Sequence, residues 1–203
     1  MTSTAQNQPA RHPARDLALI AVFAGIIAAL GLLPPLTPFG AAVPITAQTL
    51  GVMLAGGILG ARRGALSVML LLALVAIGLP LLAGGRGGLG VFFGPSVGYL
   101  VGWVLGAFVV GWLTERGGAP YRLSWGLVAN LVGGVLVVYA VGIPAVALIA
   151  DVPITVATAQ SALYVPGDLV KVVIAALVAR GVHQAYPGLI RARRARSKET
   201  AAV

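Results

Sequence analysis

The stretch that decides the fold class is LALIAVFAGIIAALGLL at residues 17–33, which has seventeen consecutive uncharged residues. A run of this kind is typical of a helix that crosses the apolar core of a bilayer, which takes about 20 residues. The Pro34-Pro35 pair that follows disfavours a continuing helix and predicts the end of the span. Similar runs follow along the chain, which predicts an all-α integral membrane protein.

The composition of the whole chain agrees with this class. Of its 203 residues, 59% are hydrophobic and only 9% are charged, whereas soluble domains have about 25% charged residues. Cysteine is absent, which excludes disulfides, thiolate metal sites and cysteine nucleophiles. The net charge of +9 does not predict nucleic-acid binding, because most basic residues lie beside apolar segments, where membrane topology explains them.

Six transmembrane helices are predicted, separated by short joints rich in glycine, proline or arginine. The spans cover residues 17–33, 46–60, 65–82, 97–113, 123–143 and 164–182. The second span has only 15 residues, so it either extends into the turn-rich joint at 36–45 or lines a cavity instead of facing lipid. Residues 144–163 contain Pro144, Asp151 and Pro153, and they are predicted to form a partly inserted loop or a short helix.

The basic residues test this count of six spans. With six spans both termini lie on one side, and twelve of the fourteen lysines and arginines then fall on that side. The positive-inside rule makes it the cytosolic side of the membrane. The twelve residues are Arg11, Arg15, Arg62, Arg63, Arg116, Arg122, Arg180, Arg191, Arg193, Arg194, Arg196 and Lys198.

Three regions follow from this topology. Residues 1–15 lack an apolar period and are expected to form a disordered cytosolic N-terminus. Residues 16–184 form the six-helix membrane domain, and residues 185–203 form a basic cytosolic tail. The chain is therefore expected to be a multi-pass protein with both termini in the cytosol.

Four charged residues are not explained by topology: Arg86, Asp151, Asp168 and Lys171. Lys171 lies within the last span, where an uncompensated charge costs from about 3 kcal/mol upward, so it is expected to face a cavity or a partner. Asp168 lies three residues earlier on the same helix face, in the first turn of a helix that Pro166-Gly167 is predicted to start. The simplest interpretation is an ion pair that neutralises itself.

The alternative interpretation is a ligand site that also includes Arg86, from a glycine-rich loop predicted on the same side. Lys171 and Arg86 would hold an anionic end of the ligand, such as a carboxylate, and Asp168 would accept hydrogen bonds from N–H groups at its other end. Aromatic residues near this side would pack against an apolar middle, unless they only mark the membrane interface. The candidates are Phe92, Phe93 and Tyr164.

Small residues recur at a spacing of four in and just before the first span. Ala14 and Ala18 form one such pair, and Ala21 and Gly25 form another. Small residues at this spacing let two helices approach closely in lipid, which favours a docking face for a partner. Alanine and glycine are abundant throughout this chain, so the spacing could also arise by chance.

The order of several short motifs along residues 17–183 resembles one known family. The motifs read VPITAQTLGVMLAG at 43–56, LGARRGALS at 59–67, GLP at 78–80, AGGRGG at 83–88, GP at 94–95, GY at 98–99, and PGDL at 166–169 with Lys171. This combination resembles the BioY family, the substrate-binding (S) components of biotin transporters in the energy-coupling factor (ECF) class. One departure is GPSVGY at 94–99, where many relatives have GPTGGY.

The resemblance implies an S-component bundle of six helices with a biotin site near the outer face. It implies that Asp168 accepts the ureido N–H groups of biotin and that Lys171 and Arg86 hold its valerate carboxylate. Gln48 and Thr46 lie in the matching motif and are expected to add polar contacts.

The resemblance also implies partners and a division of labour. The chain would capture biotin without chemistry and without a cofactor, and an ECF coupling transmembrane subunit with ABC-type ATPases would supply the energy. The coupling subunit would dock on the small-residue face of the first helix. The chain itself has no GxxxxGK[ST] phosphate loop, so it is not expected to be the ATPase.

Two other functions stay open. The first is an S component for another small vitamin, although a cationic vitamin such as thiamine would be repelled by Lys171 and Arg86. The second is an intramembrane enzyme. The two histidines, His12 and His183, lie at the predicted cytosolic edges, and the five acids are scattered, so no catalytic or metal-binding cluster is indicated.

Overall fold

Seven helices form the bundle in a computed structural model that describes residues 13–35, 43, 45–187 and 189. Apart from isolated bridges, such as the one between Leu82 and Arg86, and a short 3-10 helix at Leu89–Phe92, the described residues form the helices of the bundle and the turns between them. The helices are α1 (Pro13–Leu30), α2 (Gln48–Leu59), α3 (Ala61–Ala76), α4 (Val97–Gly117), α5 (Leu123–Ile149), α6 (Ile154–Ala162) and α7 (Val165–Ala185). The all-α membrane fold is confirmed, and its six predicted spans correspond to α1 to α5 and α7.

Length and hydropathy differ among these helices. The helices α1, α4 and α5 are each long and apolar enough to cross a bilayer, and α6 with α7 would be a fourth span bent by 52°. The helices α2 and α3 have only 12 and 16 residues. Nine of the twelve residues of α2 are buried, and it packs against α1, α3, α4, α5 and α7. Of the two interpretations of the short second span, the structure therefore supports the one in which it lines the interior.

Several predicted boundaries were wrong, each for a local reason. The helix α1 begins at Pro13, inside the predicted disordered N-terminus, because proline fits a first helical turn and Asp16 lies near the same end. The helix α3 begins at Ala61, so Arg62 and Arg63 lie inside it and not before it. The helix α5 continues through Pro144 to Ile149, as membrane helices tolerate proline. The short helix predicted within 144–163 is α6. The predictions for residues 1–12, 36–42 and 190–203 lie outside the described residues.

Three contacts join the helix ends at one end of the bundle. Arg63 of α3 forms a salt bridge with Asp16 of α1 at 3.2 Å. The Glu115 carboxylate of α4 accepts the first backbone N–H of α3 at 3.1 Å. The His183 ring of α7 lies 2.9 Å from the Gly57 carbonyl oxygen of α2. These contacts bring the start of α1, the α2–α3 corner and the ends of α4 and α7 to one side.

We call this side the basic end, because most of the described cations lie near it. They are Arg15, Arg62, Arg63, Arg116, Arg122 and Arg180. The opposite side, called the cavity end, contains the starts of α2, α4 and α7 and the loop between α3 and α4. The structure thus agrees with the charge pattern from which the six spans were predicted.

Close packing of α2 against α4 depends on Gly56. A Cβ atom placed on Gly56 would lie 2.5 Å from the Ala107 carbonyl oxygen and 2.9 Å from the Val110 Cβ atom. Backbone atoms cannot move away cheaply, so the two helices could approach this closely only with glycine at that position. Gly25 of α1, in contrast, has no described atom within 4 Å of its Cβ position.

We therefore expect Gly56→Ala to destabilise the protein by about 1–3 kcal/mol through overpacking. The same substitution at Gly25 should leave the stability unchanged or raise it, because alanine favours a helix over glycine. Thermal unfolding of both variants in detergent, followed by circular dichroism, measures the difference. Equal melting temperatures for the two variants would contradict the packing inferred for Gly56.

Candidate functional site

A cavity at the cavity end of the bundle brings together most of the predicted site residues. Counting its open mouth, it contains about 520 Å³ of space between the protein atoms. The residues lining it come from α2 and the segment before it, from the α3–α4 loop, and from α4, α5 and α7. They are Val43, Ile45, Thr46, Thr49, Arg86, Ser96, Tyr99, Leu100, Trp103, Val138, Tyr139, Tyr164, Asp168 and Lys171.

The start of α7 positions the two buried charges of this cavity. Val165 begins the helix and Pro166 follows, so Asp168 lies in the first turn, as predicted. The Lys171 ammonium is 2.9 Å from Asp168 Oδ1, and the two side chains are only 14% and 6% exposed. The predicted ion pair is therefore present, and it lies against the cavity.

The protein already satisfies all three donors of the Lys171 ammonium group. Besides Asp168, the Nζ atom donates to the Thr46 carbonyl oxygen at 2.6 Å and to Thr49 Oγ1 at 2.9 Å. An ammonium group has three N–H donors, so a ligand would have to displace one of these partners to bind Lys171. Lys171 thus compensates the Asp168 charge and fastens α7 to the start of α2.

Asp168 has partners on both oxygens and retains some accepting capacity. Tyr139 of α5 donates to Oδ2 at 2.6 Å, while Lys171 donates to Oδ1 and Thr49 Oγ1 lies 3.5 Å from the same atom. A carboxylate offers about four lone-pair sites. Asp168 can therefore accept a further hydrogen bond from a ligand N–H group on the cavity side.

Arg86 is held at the edge of the cavity by a tight backbone turn. Leu82 and Arg86 exchange backbone hydrogen bonds of 3.0 and 3.1 Å, and Gly84 and Gly85 between them have positive φ angles of 79° and 71°. Glycine adopts this backbone conformation without the strain that a Cβ atom would cause. The glycines beside Arg86 in the sequence therefore have a defined structural role.

The Arg86 guanidinium keeps most of its hydrogen-bonding capacity. Its Nε atom donates to the Ala83 carbonyl oxygen at 3.2 Å, and Nη1 donates to Ser96 Oγ at 3.3 Å. Three of its five N–H groups make no hydrogen bond to the described residues. Partial burial lowers the pKa of Arg86, but an arginine side chain stays protonated in proteins. Among the two cations of the cavity, Arg86 is thus the one with donors to offer an anion.

Aromatic side chains form the apolar wall of the cavity. The ring centroids of Tyr99 lie 6.2 Å from Tyr139 and 6.4 Å from Tyr164 in edge-to-face geometry, and Trp103 adds a fourth ring. The Tyr99 hydroxyl is 2.7 Å from Ser161 Oγ, and the Tyr164 hydroxyl donates to the Val43 carbonyl oxygen at 2.6 Å. Because these hydroxyls are already bonded, they fix the ring orientations.

The structure gathers five of the six predicted site residues around this cavity: Thr46, Arg86, Tyr164, Asp168 and Lys171. Thr46 contributes its carbonyl oxygen to Lys171. Gln48 is fully buried outside the cavity lining, where its amide bonds to the backbone of Ile27, Leu81 and Ala83. It joins α1, α2 and the α3–α4 loop.

The aromatic candidates were only partly right. Tyr164 lines the cavity, but neither Phe92 nor Phe93 does, and Phe93 is 80% exposed. Sequence reasoning missed Thr49, Tyr99, Trp103 and Tyr139 as cavity residues. Thr49 lies inside the matched motif at 43–56, and a tyrosine inside an apolar span needs a hydrogen-bond partner. This requirement of a tyrosine for a partner could have identified Tyr99 and Tyr139.

The small-residue face of α1 is separate from the cavity. Ala14, Ala18, Ala21 and Gly25 are all exposed on the outside of the described bundle. The neighbouring Ala24, in contrast, is buried in the core. The four residues therefore form a continuous surface that is open to lipid or to another protein.

The fold and the cavity together define a class: a polytopic α-helical membrane protein with a charged, aromatic-walled cavity for a small molecule near one end of the bundle.

The sequence model of the BioY family matches residues 2–188. The chain is 52% identical over 179 residues to the biotin transporter BioY of Rhizobium etli, with 85% of this chain and 95% of that protein covered. It is 51% identical over 189 residues to the biotin transporter BioY of Rhodobacter capsulatus, with 88% and 98% covered.

A solved structure is similar as well. The crystal structure of the S-component for biotin from an ECF-type ABC transporter aligns with a TM-score of 0.80 and 31% identity, covering 91% of this chain and 95% of that chain. The chain belongs to the BioY family. Its relatives are named as transporters, which agrees with the expectation of a non-enzymatic membrane protein.

The buried pair gives a stability prediction. Lys171→Met leaves the Asp168 carboxylate buried without its counter-charge, and such a change costs about 3–5 kcal/mol. The double variant Asp168→Asn with Lys171→Met removes both charges, so we expect it to melt at a higher temperature than Lys171→Met alone. Thermal unfolding in detergent without ligand measures this.

The exposed pair at the basic end is the matched control. Asp16 and Arg63 have side chains that are 46% and 27% exposed, and surface pairs contribute about 0–1 kcal/mol. Asp16→Asn, Arg63→Met and their combination should therefore shift the melting temperature only slightly. If the double variant at Asp168 and Lys171 were as destabilised as the sum of its single variants, the two charges would not be energetically coupled.

Proposed function

We propose that this chain is the biotin-binding S component of an ECF-type transporter in a bacterial cytoplasmic membrane. Its basic end would face the cytosol, with both termini, and its cavity would take biotin from the outside. The observation that carries the proposal is the cavity itself, in which the accepting carboxylate of Asp168 and the partly free guanidinium of Arg86 line one aromatic-walled space. Biotin, the ligand in the names of its relatives, has chemistry that complements these two groups.

Biotin offers two polar ends joined by an apolar part. Its ureido N–H groups would donate to Asp168, and its valerate carboxylate would accept from Arg86. Its fused rings would pack against the aromatic wall formed by Tyr99, Trp103 and Tyr139. Charge-assisted hydrogen bonds at both ends would fix the orientation of the ligand.

The hydrogen bonds of Lys171 favour a different role from the one predicted from sequence. It was expected to share the valerate carboxylate with Arg86, but its three donors are used by Thr46, Thr49 and Asp168. We propose that Lys171 acts mainly at the ureido end, where it compensates the charge of Asp168 and holds that carboxylate in place. Arg86 is then the principal partner of the carboxylate.

The uptake step would depend on other subunits. The chain has no phosphate-binding GxxxxGK[ST] loop, so we propose that ABC-type ATPases supply the energy through a coupling transmembrane subunit. This subunit would dock on Ala14, Ala18, Ala21 and Gly25, whose small side chains allow close helix contact. Capture would involve no bond making or breaking and no cofactor, so released ligand should have the unchanged mass of biotin.

Binding measurements with biotin and its neutral primary amide test the assignment of the two ends. Asp168→Asn should weaken both ligands, because both have the ureido group. Arg86→Gln should weaken biotin more than the amide, because the neutral amide carbonyl accepts only a weaker hydrogen bond from Arg86. The expected losses are about tenfold to a hundredfold, since a charge-assisted hydrogen bond contributes about 1.5–3 kcal/mol. Calorimetry on the purified full chain in detergent measures all four combinations.

Charge-matched variants at the basic end are the controls. Asp16→Asn and Arg180→Gln remove the same charges far from the cavity, and both should bind biotin as the wild type does. Wild-type protein that does not bind biotin would overturn the proposed function. Equal losses for biotin and its amide in Arg86→Gln would overturn the role given to Arg86.

A second experiment tests the docking face. Ala18→Leu adds bulk to the exposed face of α1, so it should reduce co-purification of the coupling subunit and ATPases while biotin binding persists. Ala185→Leu adds the same side chain at the exposed end of α7 and should affect neither. Unchanged co-purification by a variant with leucine at both Ala14 and Ala18 would show that the subunit docks elsewhere.

A further inference from the structure

A second cavity adjoins the first on the far side of Arg86. It lies within the glycine-rich loop between α3 and α4 and encloses about 780 Å³, counting its wide mouth. Its described lining includes Arg86 and Ser96, which also line the first cavity, and Gly85, Gly90, Gly94 and Pro95. We call this space the outer cavity.

Among the described residues, the side chains of Arg86 and Ser96 lie between the two cavities. A single weak hydrogen bond joins them. The Nη1···Oγ distance is 3.3 Å, which is longer than the usual range of about 2.7–3.2 Å for N–H···O hydrogen bonds. The Arg86 backbone, in contrast, is fixed by two hydrogen bonds to Leu82. The guanidinium and the serine hydroxyl can therefore separate without any change in the fold of the loop.

The outer cavity is wide because much of its described wall has no side chains. No described atom lies within 4 Å of the Cβ position of Gly90, and the nearest one to that of Gly94 is the Val91 carbonyl oxygen at 4.0 Å. Neither glycine has a positive φ angle, and neither lines the first cavity. The wall offers mainly backbone groups, which suits a flexible substituent better than one fixed polar group.

We propose that the outer cavity takes substituents attached to the carboxyl carbon of biotin, so that N-substituted biotin amides such as ε-N-biotinyl-lysine are also ligands. This inference rests on the proposed function, which brings the carboxyl end of biotin to Arg86. In such an amide the carbonyl oxygen accepts from Arg86, and the substituent passes between Arg86 and Ser96 into the outer cavity. The ureido end of the amide binds in the same way as that of biotin.

The affinity of such an amide reflects the lost negative charge. A neutral acceptor forms a weaker hydrogen bond with a guanidinium than a carboxylate does. We therefore expect ε-N-biotinyl-lysine to bind the wild type about tenfold to a hundredfold more weakly than biotin. Substituents of moderate size should not lower the affinity further, because the outer cavity is open.

Leucine substitutions in the outer cavity test this proposal. Gly90→Leu and Gly94→Leu each place a side chain in the outer cavity without touching the first cavity, so they should weaken ε-N-biotinyl-lysine by at least about tenfold while biotin binds as before. Gly181→Leu is the control, because Gly181 of α7 is another open glycine, near the basic end. Calorimetry on the full chain with both ligands and all four proteins gives the comparison.

The outcomes separate this inference from the proposed function. A wild type that binds biotin but not ε-N-biotinyl-lysine would overturn the inference and leave the proposed function intact. Equal binding of the conjugate by the wild type and both leucine variants would show that its substituent lies elsewhere, which also overturns it. Loss of biotin itself in both variants would contradict the separation of the two cavities. A wild type that binds neither ligand would overturn the proposed function as well.

Discussion

The buried pair of Asp168 and Lys171 is the interaction on which the rest of the site depends. Two charges in the interior of an apolar bundle are tolerated only when they neutralise each other and their remaining hydrogen-bonding capacity is met. Here α2 supplies Thr49 and the carbonyl oxygen of Thr46 just before it, and α5 supplies Tyr139. The pair therefore fixes three parts of the bundle around one cavity, and the same contacts that stabilise the charges also shape the site.

In this arrangement the two cations of the cavity have different roles. Lys171 has its donors committed to the protein, whereas Arg86 lies on a loop and has N–H groups left for a ligand. Lys171 compensates the charge of Asp168, and Asp168 can still accept a hydrogen bond from a ligand N–H group. A ligand with a hydrogen-bond-donating end and an anionic end matches this polarity, and the weak partition at Arg86 leads from the anionic end into the outer cavity.

The charges were the most informative part of the sequence. Once topology accounted for the basic residues at one end, four charged residues remained, and the structure brings three of them, Arg86, Asp168 and Lys171, to one cavity, whereas Asp151 does not line it. The apolar runs also located six of the seven helices, since each run must satisfy its backbone within a helix. The resemblance to the BioY family, which the comparisons confirmed, supplied the identity of the ligand, because charges alone leave several vitamins possible.

Other features could not be predicted because they depend on neighbours that are distant in sequence. The helix α3 begins four residues early, at Ala61, because Glu115 of α4 accepts its first N–H. In α5 the residues Asn130–Val137 form a π-helical run, and an apolar sequence does not distinguish this winding from an α-helix. The run immediately precedes Val138 and Tyr139, so the direction of Tyr139 toward Asp168 could not be read from its position. Gln48 was expected to contact the ligand because it lies in the matching motif, but its amide bonds to backbone groups of α1 and the α3–α4 loop.

A structure of the full chain with bound biotin tests the central claim most directly. The account predicts that the ureido N–H groups lie within hydrogen-bond distance of Asp168, with the Asp168–Lys171 pair intact, and that the valerate carboxylate contacts Arg86. Biotin in the opposite orientation, or a carboxylate bound by Lys171 after its separation from Asp168, would contradict it.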